Sequence, residues 1–283
     1  MTDKLTEKLT DKLTEKLEAE LLLEALYRKY GCDFRQYAQS SLMRRLNNVR
    51  LQAGAKSLSE LIPLVLHDQA FANGMVQDIL VTVTEMFRDP PFFAELRTKI
   101  VPILKTYPFV KIWLAGCATG EEAYSMAIVL QEEGFYDRVQ IYATDMNERS
   151  LEIAGEGIYP AESLRSYTAN YHASGGRSSF SDYYVANYRM AKFRDELKRN
   201  IVFSNYNLVT DHPFGEMHLI VCRNVLIYFN RELQAQVLGL FDASLVHRGL
   251  LCLGSKETLD FTPYASKYET LSPKWKIYRQ RTQ

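Results

Sequence analysis

The sequence predicts an α/β fold, a doubly wound open sheet, and three observations carry that prediction. Residues 111–124 read as strand, glycine turn, helix: the apolar run 112–115, then Gly116 and Gly120 around Cys117, Ala118 and Thr119, then the helix-like stretch 121–130. Residues 139–145 form a second apolar strand that ends in an acid, Asp145, 25 positions after Gly120. Strand-like and helix-like segments alternate again beyond residue 200 and close on a pattern suited to an antiparallel hairpin.

Ahead of that sheet, the 283 residues leave room for a second, smaller domain. Lys+Arg and Asp+Glu are both 34, so no bulk charge points to nucleic acid or a charged membrane. No apolar run reaches the roughly 18–20 residues of a membrane span, and the N-terminus is charged rather than signal-like. Cys32, Cys117, Cys222 and Cys252 are scattered, with no C-x-x-C and no histidine at ligand spacing. Reduced thiols, a cytoplasmic location and no metal site are expected.

Residues 2–17 repeat Thr-Asp/Glu-Lys-Leu, with Leu5, Leu9, Leu13 and Leu17 four apart. On an α-helix such a stripe drifts by about 40° per repeat. The leader (1–18) is therefore expected as a solvated, partly disordered extension of a helix over 19–30 that Gly31 ends; partner binding is the alternative. Residues 19–90 predict a helical domain. Within it the helix over 34–53 carries Arg35, Arg44, Arg45 and Arg50, while Leu42, Leu46 and Val49 supply an inward face. The basic face is either simply solvated or docks an acidic helical partner.

The methyltransferase-like signature Asp89-Pro90-Pro91-Phe92 is expected to be incidental, because it belongs at the end of a core strand and here a helix-like run (93–104) follows it. The prolines then stop one segment and start the next helix. In the glycine turn, Glu121 and Glu122 would repel a pyrophosphate placed on the helix N-terminus. S-adenosylmethionine has no phosphate and carries a sulfonium and an ammonium, so the loop favours it over a dinucleotide. Asp145 can accept both hydroxyls of a ribose, or can cap the helix that begins near Asn147. Residues 158–200 read as an inserted β-subdomain. Tyr159, Tyr167, Tyr171, Tyr183, Tyr184 and Tyr188 crowd it, and Ser174-Gly175-Gly176 interrupts it. The tyrosines either pack a small sheet or anchor a peptide. Strands over 200–208, 218–229 and 249–254 come next, with Asn230 capping a helix over 231–246 and a hairpin from 268–271 and 275–278.

Several strings together resemble the CheR family of chemotaxis receptor methyltransferases. They are Thr84-x-x-Phe87-Arg88-Asp89, residues 117–125 (Cys-Ala-Thr-Gly-Glu-Glu-Ala-Tyr-Ser), Thr144-Asp145, Asn207-Leu208 and residues 222–229 (Cys-Arg-Asn-Val-Leu-Ile-Tyr-Phe). The resemblance runs from about residue 20 to the C-terminus. It implies a class I S-adenosylmethionine-dependent methyltransferase domain over 91–283, with the β-subdomain inserted in it. It also implies methylation of glutamate side chains on the cytoplasmic helical bundle of chemoreceptors. By motif position, Thr82, Thr84, Arg88, Ala115 and Glu122 would line the cofactor site, together with Asp145, Asn207, Leu208, Cys222 and Arg223. Arg88 and Tyr228 would sit nearest the transferred methyl group. The basic helix would face the acidic receptor bundle, and in some members the β-subdomain grips a short peptide at the receptor's C-terminus. Met86 departs from the pattern, where many members carry an aromatic residue, as does the Ala115-Gly-Cys-Ala118 loop. A glutamate, with a reference pKa of about 4.3, is already an anion near neutrality and needs no base.

Overall fold

The computed structural model describes residues 2–80 and 82–282, with side chains from residue 12 on. The chain forms two compact units. Among the described residues no helix is long and apolar enough to cross a membrane.

The first unit holds the residues up to 81 together with Ile227–Gln234. Its helices are α1 (Thr2–Tyr30), α2 (Gln39–Gln52), α3 (Leu61–His67) and α4 (Gln69–Ile79). The leader continues residues 19–30 in a single helix, as an extension of it. Lys, Glu and Leu are good helix formers, and Lys16 sits 3.8 Å from Glu20 one turn on. Leu13 and Leu17 are exposed as expected; the side chains of Leu5 and Leu9 lie outside those described. Gly31, at φ 73°, ends the helix with its N–H on the Tyr27 carbonyl, 2.8 Å away. Leu42, Leu46 and Val49 of α2 are buried, as their spacing predicts. Arg35 precedes that helix instead of lying on it.

The second unit spans Thr82–Leu226 and Ala235–Gln283. The division falls short of the expected residue 90, because residues 82–89 belong with the sheet domain. Phe87 packs its ring edge-on against Phe93, Tyr171 and Phe180, with centroids 5.1, 5.4 and 6.1 Å away. Helix α5 (Pro90–Glu95) does start on the prolines, and a π-turn leads to α6 (Val101–Leu104).

The strands are β1 (Val110–Ala115), β2 (Val139–Asp145), β3 (Ile158–Pro160), β4 (Tyr184–Ala186), β5 (Met190–Phe193), β6 (Ile201–Asn205), β7 (Met217–Cys222), β8 (Leu245–Leu253), β9 (Tyr268–Ser272) and β10 (Ile277–Gln280). Seven of them form a sheet in the order β6-β2-β1-β7-β8-β10-β9, where β10 runs antiparallel to both neighbours. The remaining helices are α7 (Glu121–Glu132), α8 (Glu148–Glu156), α9 (Leu164–Ala173), α10 (Asp195–Lys198) and α11 (Arg231–Ser244). Strand β8 begins four residues earlier than the pattern suggested. Arg248 takes a left-handed φ of 62°, and the pairing with β7 shifts register, so the polar start of the strand is accommodated.

The insertion is a three-stranded antiparallel sheet, β3-β5-β4, with α9 beside it. Its tyrosines mostly serve packing: Tyr159, Tyr167, Tyr171 and Tyr183 are buried, while Tyr188 is fully exposed. The hydroxyls of Tyr171 and Tyr183 both donate to the buried carboxylate of Glu132, which also pairs with Arg97. These bonds fix the insertion to the last turn of α7.

Candidate functional site

From β1 the chain builds outward to β2 and β6, then returns to lay β7 along the other edge of β1. Open α/β sheets bind ligands outside the carboxyl ends of their strands at such a reversal. The glycine loop occupies that position. Gly116 and Gly120 have φ of 80° and 92°, and Ala118 between them reaches 47°. A Cβ on Gly116 would lie 2.4 Å from Val225 Cγ2, and one on Gly120 would lie 2.7 Å from Ala154 Cβ. Both glycines are required by φ and by space, and the loop is seated between the tip after β7 and helix α8.

Asp145 ends β2 beside this loop. One carboxylate oxygen accepts from the Ala118 N–H and the other from the Asn147 N–H, each at 2.9 Å. Burial pushes its pKa up, and backbone donors of Asn147, Ala118 and Met146 pull it back. The cap of α8 is Asn147, whose Oδ1 accepts from the Ser150 N–H at 3.2 Å. Capping is therefore supplied without Asp145. A carboxylate offers about four acceptor positions, so these backbone donors leave room for a ligand hydroxyl.

The two acids of the first turn of α7 diverge. Glu121 turns inward and accepts from Thr119 Oγ1 at 2.7 Å and Tyr167 OH at 3.2 Å. Burial raises its pKa, and these hydrogen bonds oppose the rise. Glu122 accepts from Arg223 at 2.8 Å. Arg223 is buried; it also reaches Asp89 at 2.6 Å and the Arg88 carbonyl at 3.0 Å, and its guanidinium lies 4.1 Å from the centroid of Phe92. Such a buried, doubly paired cation acts as a clamp, and removing one partner of a buried pair costs about 3–5 kcal/mol. Arg223 therefore ties together α7, the tip of β7 and residues 88–92.

That clamp fixes a strained segment. Phe87 and Asp89 have φ of 53° and 58°, conformations costing on the order of 1–3 kcal/mol each for such residues. The Phe87 N–H donates to Ser125 Oγ at 2.9 Å, and Asn170 Nδ2 donates to the Met86 carbonyl at 3.1 Å. Held between the two strained residues, Arg88 donates to the Val83 carbonyl at 3.2 Å and, among the described residues, forms no ion pair. Arg88 makes no salt bridge to its neighbour Asp89, because Asp89 is paired with Arg223.

The remaining candidates divide by what they can offer. Thr82, Thr84, Asn207 and Leu208 are half-buried. The Asn207 Oδ1 accepts from the Val209 N–H at 3.0 Å, leaving its amide NH2 as a donor. Ala115 and Cys222 are buried, so only their backbone groups could meet a ligand, and burial drives the Cys222 thiol pKa up. Tyr228 belongs to the helical unit. Its carbonyl accepts from the Ala38 N–H at 2.7 Å, and the Arg45 guanidinium lies 4.9 Å from its ring centroid.

Two residues of the site escape a sequence reading. Asn224, inside the Arg-Asn-Val string, adopts a left-handed φ of 62°, and asparagine's tolerance of that region is the only signal. Glu257 carries none, since it lies 33 residues further on. Its buried carboxylate gathers the N–H groups of Asn224 (3.2 Å), Val225 (2.9 Å) and Gly254 (2.5 Å), fixing the tip that abuts Gly116. Glu257→Gln sets an amide NH2 against these donors and is expected to cost about 1–3 kcal/mol. Thermal denaturation should show a drop of several degrees, and an unchanged melting temperature would remove this role.

Comparison with known proteins extends over nearly the whole chain. Residues 82–275 match the family described as CheR methyltransferase, SAM binding domain, and residues 17–80 match CheR methyltransferase, all-alpha domain. The chain is 47% identical over 260 residues to the Cher3 protein of Pseudomonas putida, which bears the name of a methyltransferase; the match covers 92% of this chain and 95% of that one. It is 32% identical to Chemotaxis protein methyltransferase 2 of Pseudomonas aeruginosa, over 83% of this chain and 84% of the relative. It is also 32% identical to Chemotaxis protein methyltransferase 1 of Vibrio cholerae, over 84% of this chain and 86% of the relative.

Proposed function

The chain belongs to the CheR family of S-adenosylmethionine-dependent chemotaxis methyltransferases, and from that membership we propose that it esterifies glutamate side chains of chemoreceptor cytoplasmic domains. The observation that carries the reading to individual residues is Arg88. It is a cation without a carboxylate partner among the described residues, held between two strained neighbours in the unit that carries the glycine loop. A bare guanidinium so placed suits an incoming carboxylate, which its planar fork can orient.

S-adenosylmethionine supplies the methyl group on an electrophilic sulfonium. The residues present fit that cofactor. The glycine loop has no space for side chains at Gly116 and Gly120, and Asp145 keeps acceptor capacity for ribose hydroxyls. Thr82, Thr84 and Asn207 offer polar groups, Leu208 an apolar surface, and Ala115 and Cys222 backbone groups. Glu122 and Arg223 act by holding the loop and the tip of β7 in register. The substrate carboxylate is anionic near neutrality, so the protein's task is alignment and exclusion of water rather than proton transfer. Calorimetry with S-adenosylmethionine and S-adenosylhomocysteine, followed by transfer of labelled methyl to purified receptor cytoplasmic domains, tests this. Binding without transfer to any receptor would defeat the substrate assignment.

Receptor docking falls to α2, placing the enzyme in the cytoplasm where the receptor bundle lies. Arg35 is neutralised by Asp33 at 2.8 Å and Glu24 at 3.0 Å. By contrast, Arg45 and Arg50 bond neutral carbonyls, of Ile79 and of Ala55 and Lys56 respectively, and Arg44 is exposed. The face thus keeps the charge of Arg44, Arg45 and Arg50. A second contact is the β4–β5 hairpin, where Val185, Tyr188 and Met190 are exposed. Arg44→Glu is the clean probe, since Arg45 also supports Tyr228. It should raise KM for receptor severalfold at low salt and leave cofactor affinity unchanged, with the difference shrinking as salt screens the charges. Equal KM values at low salt would rule out this docking face.

A further inference from the structure

The β-subdomain is joined to the cofactor loop by two side-chain hydroxyls, and neither bond is needed to hold the subdomain's own sheet together. Tyr159, on β3, donates to the Thr119 carbonyl at 2.7 Å. Tyr167, on α9, donates to Glu121 Oε1 at 3.2 Å, and the second oxygen of that carboxylate accepts from Thr119 Oγ1 at 2.7 Å. Tyr159, Tyr167 and Glu121 are all buried. A continuous chain of hydrogen bonds therefore runs from two elements of the insertion to both sides of Gly120. The Thr119 carbonyl lies in a turn between left-handed residues, where no neighbouring strand can satisfy it, and the Tyr159 hydroxyl does. Tyr159 also closes the space beside Gly120, lying 3.3 Å from where a Cβ would be.

Other buried tyrosines of the insertion do something different. Tyr171 and Tyr183 donate to Glu132, at the far end of α7. The insertion thus has two separate sets of hydroxyl bonds, one anchoring it to the body of the domain and one reaching the loop.

We propose that Tyr159 and Tyr167 are positioning residues of the cofactor site, holding Thr119–Glu121 in the conformation that receives S-adenosylmethionine, so that cofactor affinity depends on the inserted β-subdomain. The proposal rests on the assignment of the glycine loop to that cofactor. Burial raises the pKa of both tyrosines, so both hydroxyls stay protonated donors across the working pH range. Because binding free energies are reciprocal, anything that binds the insertion and shifts β3 or α9 would alter cofactor affinity, and the cofactor would alter its binding by the same factor.

The test uses the full chain and titrates S-adenosylhomocysteine calorimetrically into the wild type and into Tyr159→Phe, Tyr167→Phe and Tyr183→Phe. Each change keeps the ring and deletes one hydroxyl, and thermal denaturation is recorded alongside. One hydrogen bond corresponds to roughly a fivefold change in affinity. Tyr159→Phe and Tyr167→Phe are each expected to raise Kd by about that factor, and the double variant by more. Tyr183→Phe should lower the melting temperature comparably while leaving Kd unchanged, because its hydroxyl serves only the anchor. Unchanged Kd in both loop-facing variants would overturn the proposal, as would an equal loss of affinity in Tyr183→Phe, which would mark general loosening. A wild type that fails to bind the nucleoside would overturn the cofactor assignment and this proposal together, whereas normal wild-type binding with unaffected variants would overturn this proposal alone.

Discussion

Arg88→Ala is expected to lower kcat and kcat/KM for receptor methylation together, by about tenfold to a hundredfold or more, at saturating cofactor. The guanidinium has no carboxylate partner among the described residues to lose, so folding should be nearly unaffected. What disappears is a charge-assisted hydrogen bond, about 1.5–3 kcal/mol, to a carboxylate that must be aligned in the transition state. Arg88→Lys should recover part of the rate, because charge is restored but the two-pronged geometry is not. Single-turnover methylation with saturating cofactor measures the step directly. A variant with full kcat and raised KM would show that Arg88 only binds the receptor, since uniform binding affects KM alone. The strain at Phe87 and Asp89 supports the larger effect: the fold holds a costly backbone at the one place where that side chain is presented.

Asp145→Ala should weaken S-adenosylhomocysteine binding by roughly a hundredfold, the upper end of what lost hydrogen bonds to a carboxylate imply. The ribose hydroxyls lose an acceptor, and the N–H groups of Ala118 and Asn147 are orphaned at the same time. The loop should therefore loosen as well as lose its contact. Asp145→Asn, which keeps one acceptor oxygen, is expected to fall between. The pH dependence has a definite sign. The ionised form is the acceptor, so affinity is present above the pKa of Asp145 and is lost as pH falls through it. Burial raises that pKa above the ordinary 3.8, so the loss should set in at higher pH than for an exposed aspartate, and Asp145→Ala should lack that step. Calorimetric titration across acid pH decides it; a variant with wild-type affinity would leave Asp145 as a purely structural brace of the loop.

Much of this protein is written in short-range pattern. The run 112–115, the glycines at 116 and 120 and the strand ending at Asp145 specify a glycine-turn βαβ unit, because apolar period and left-handed φ are local properties. The hairpin at the C-terminus and the inward face of α2 are legible for the same reason. Local pattern misjudged the domain limit, because Phe87 packs with the sheet domain.

Partnership was not legible. The sequence offered Asp145 two roles, and only the fold showed that Asn147 takes the cap. It presented Glu121 and Glu122 as equivalent charges, yet one faces Thr119 and Tyr167 and the other faces Arg223. It grouped four arginines as one basic face, yet Arg35 is neutralised by acids while the other three keep their charge. Glu257 could not be found at all, since nothing local distinguishes a glutamate that will collect three backbone N–H groups from one that will be solvated. The physical reason is common to all of these. Strand, turn and helix are chosen by neighbours a few residues away, whereas the role of a buried polar group depends on which distant donors and acceptors the packed chain brings within about 3 Å.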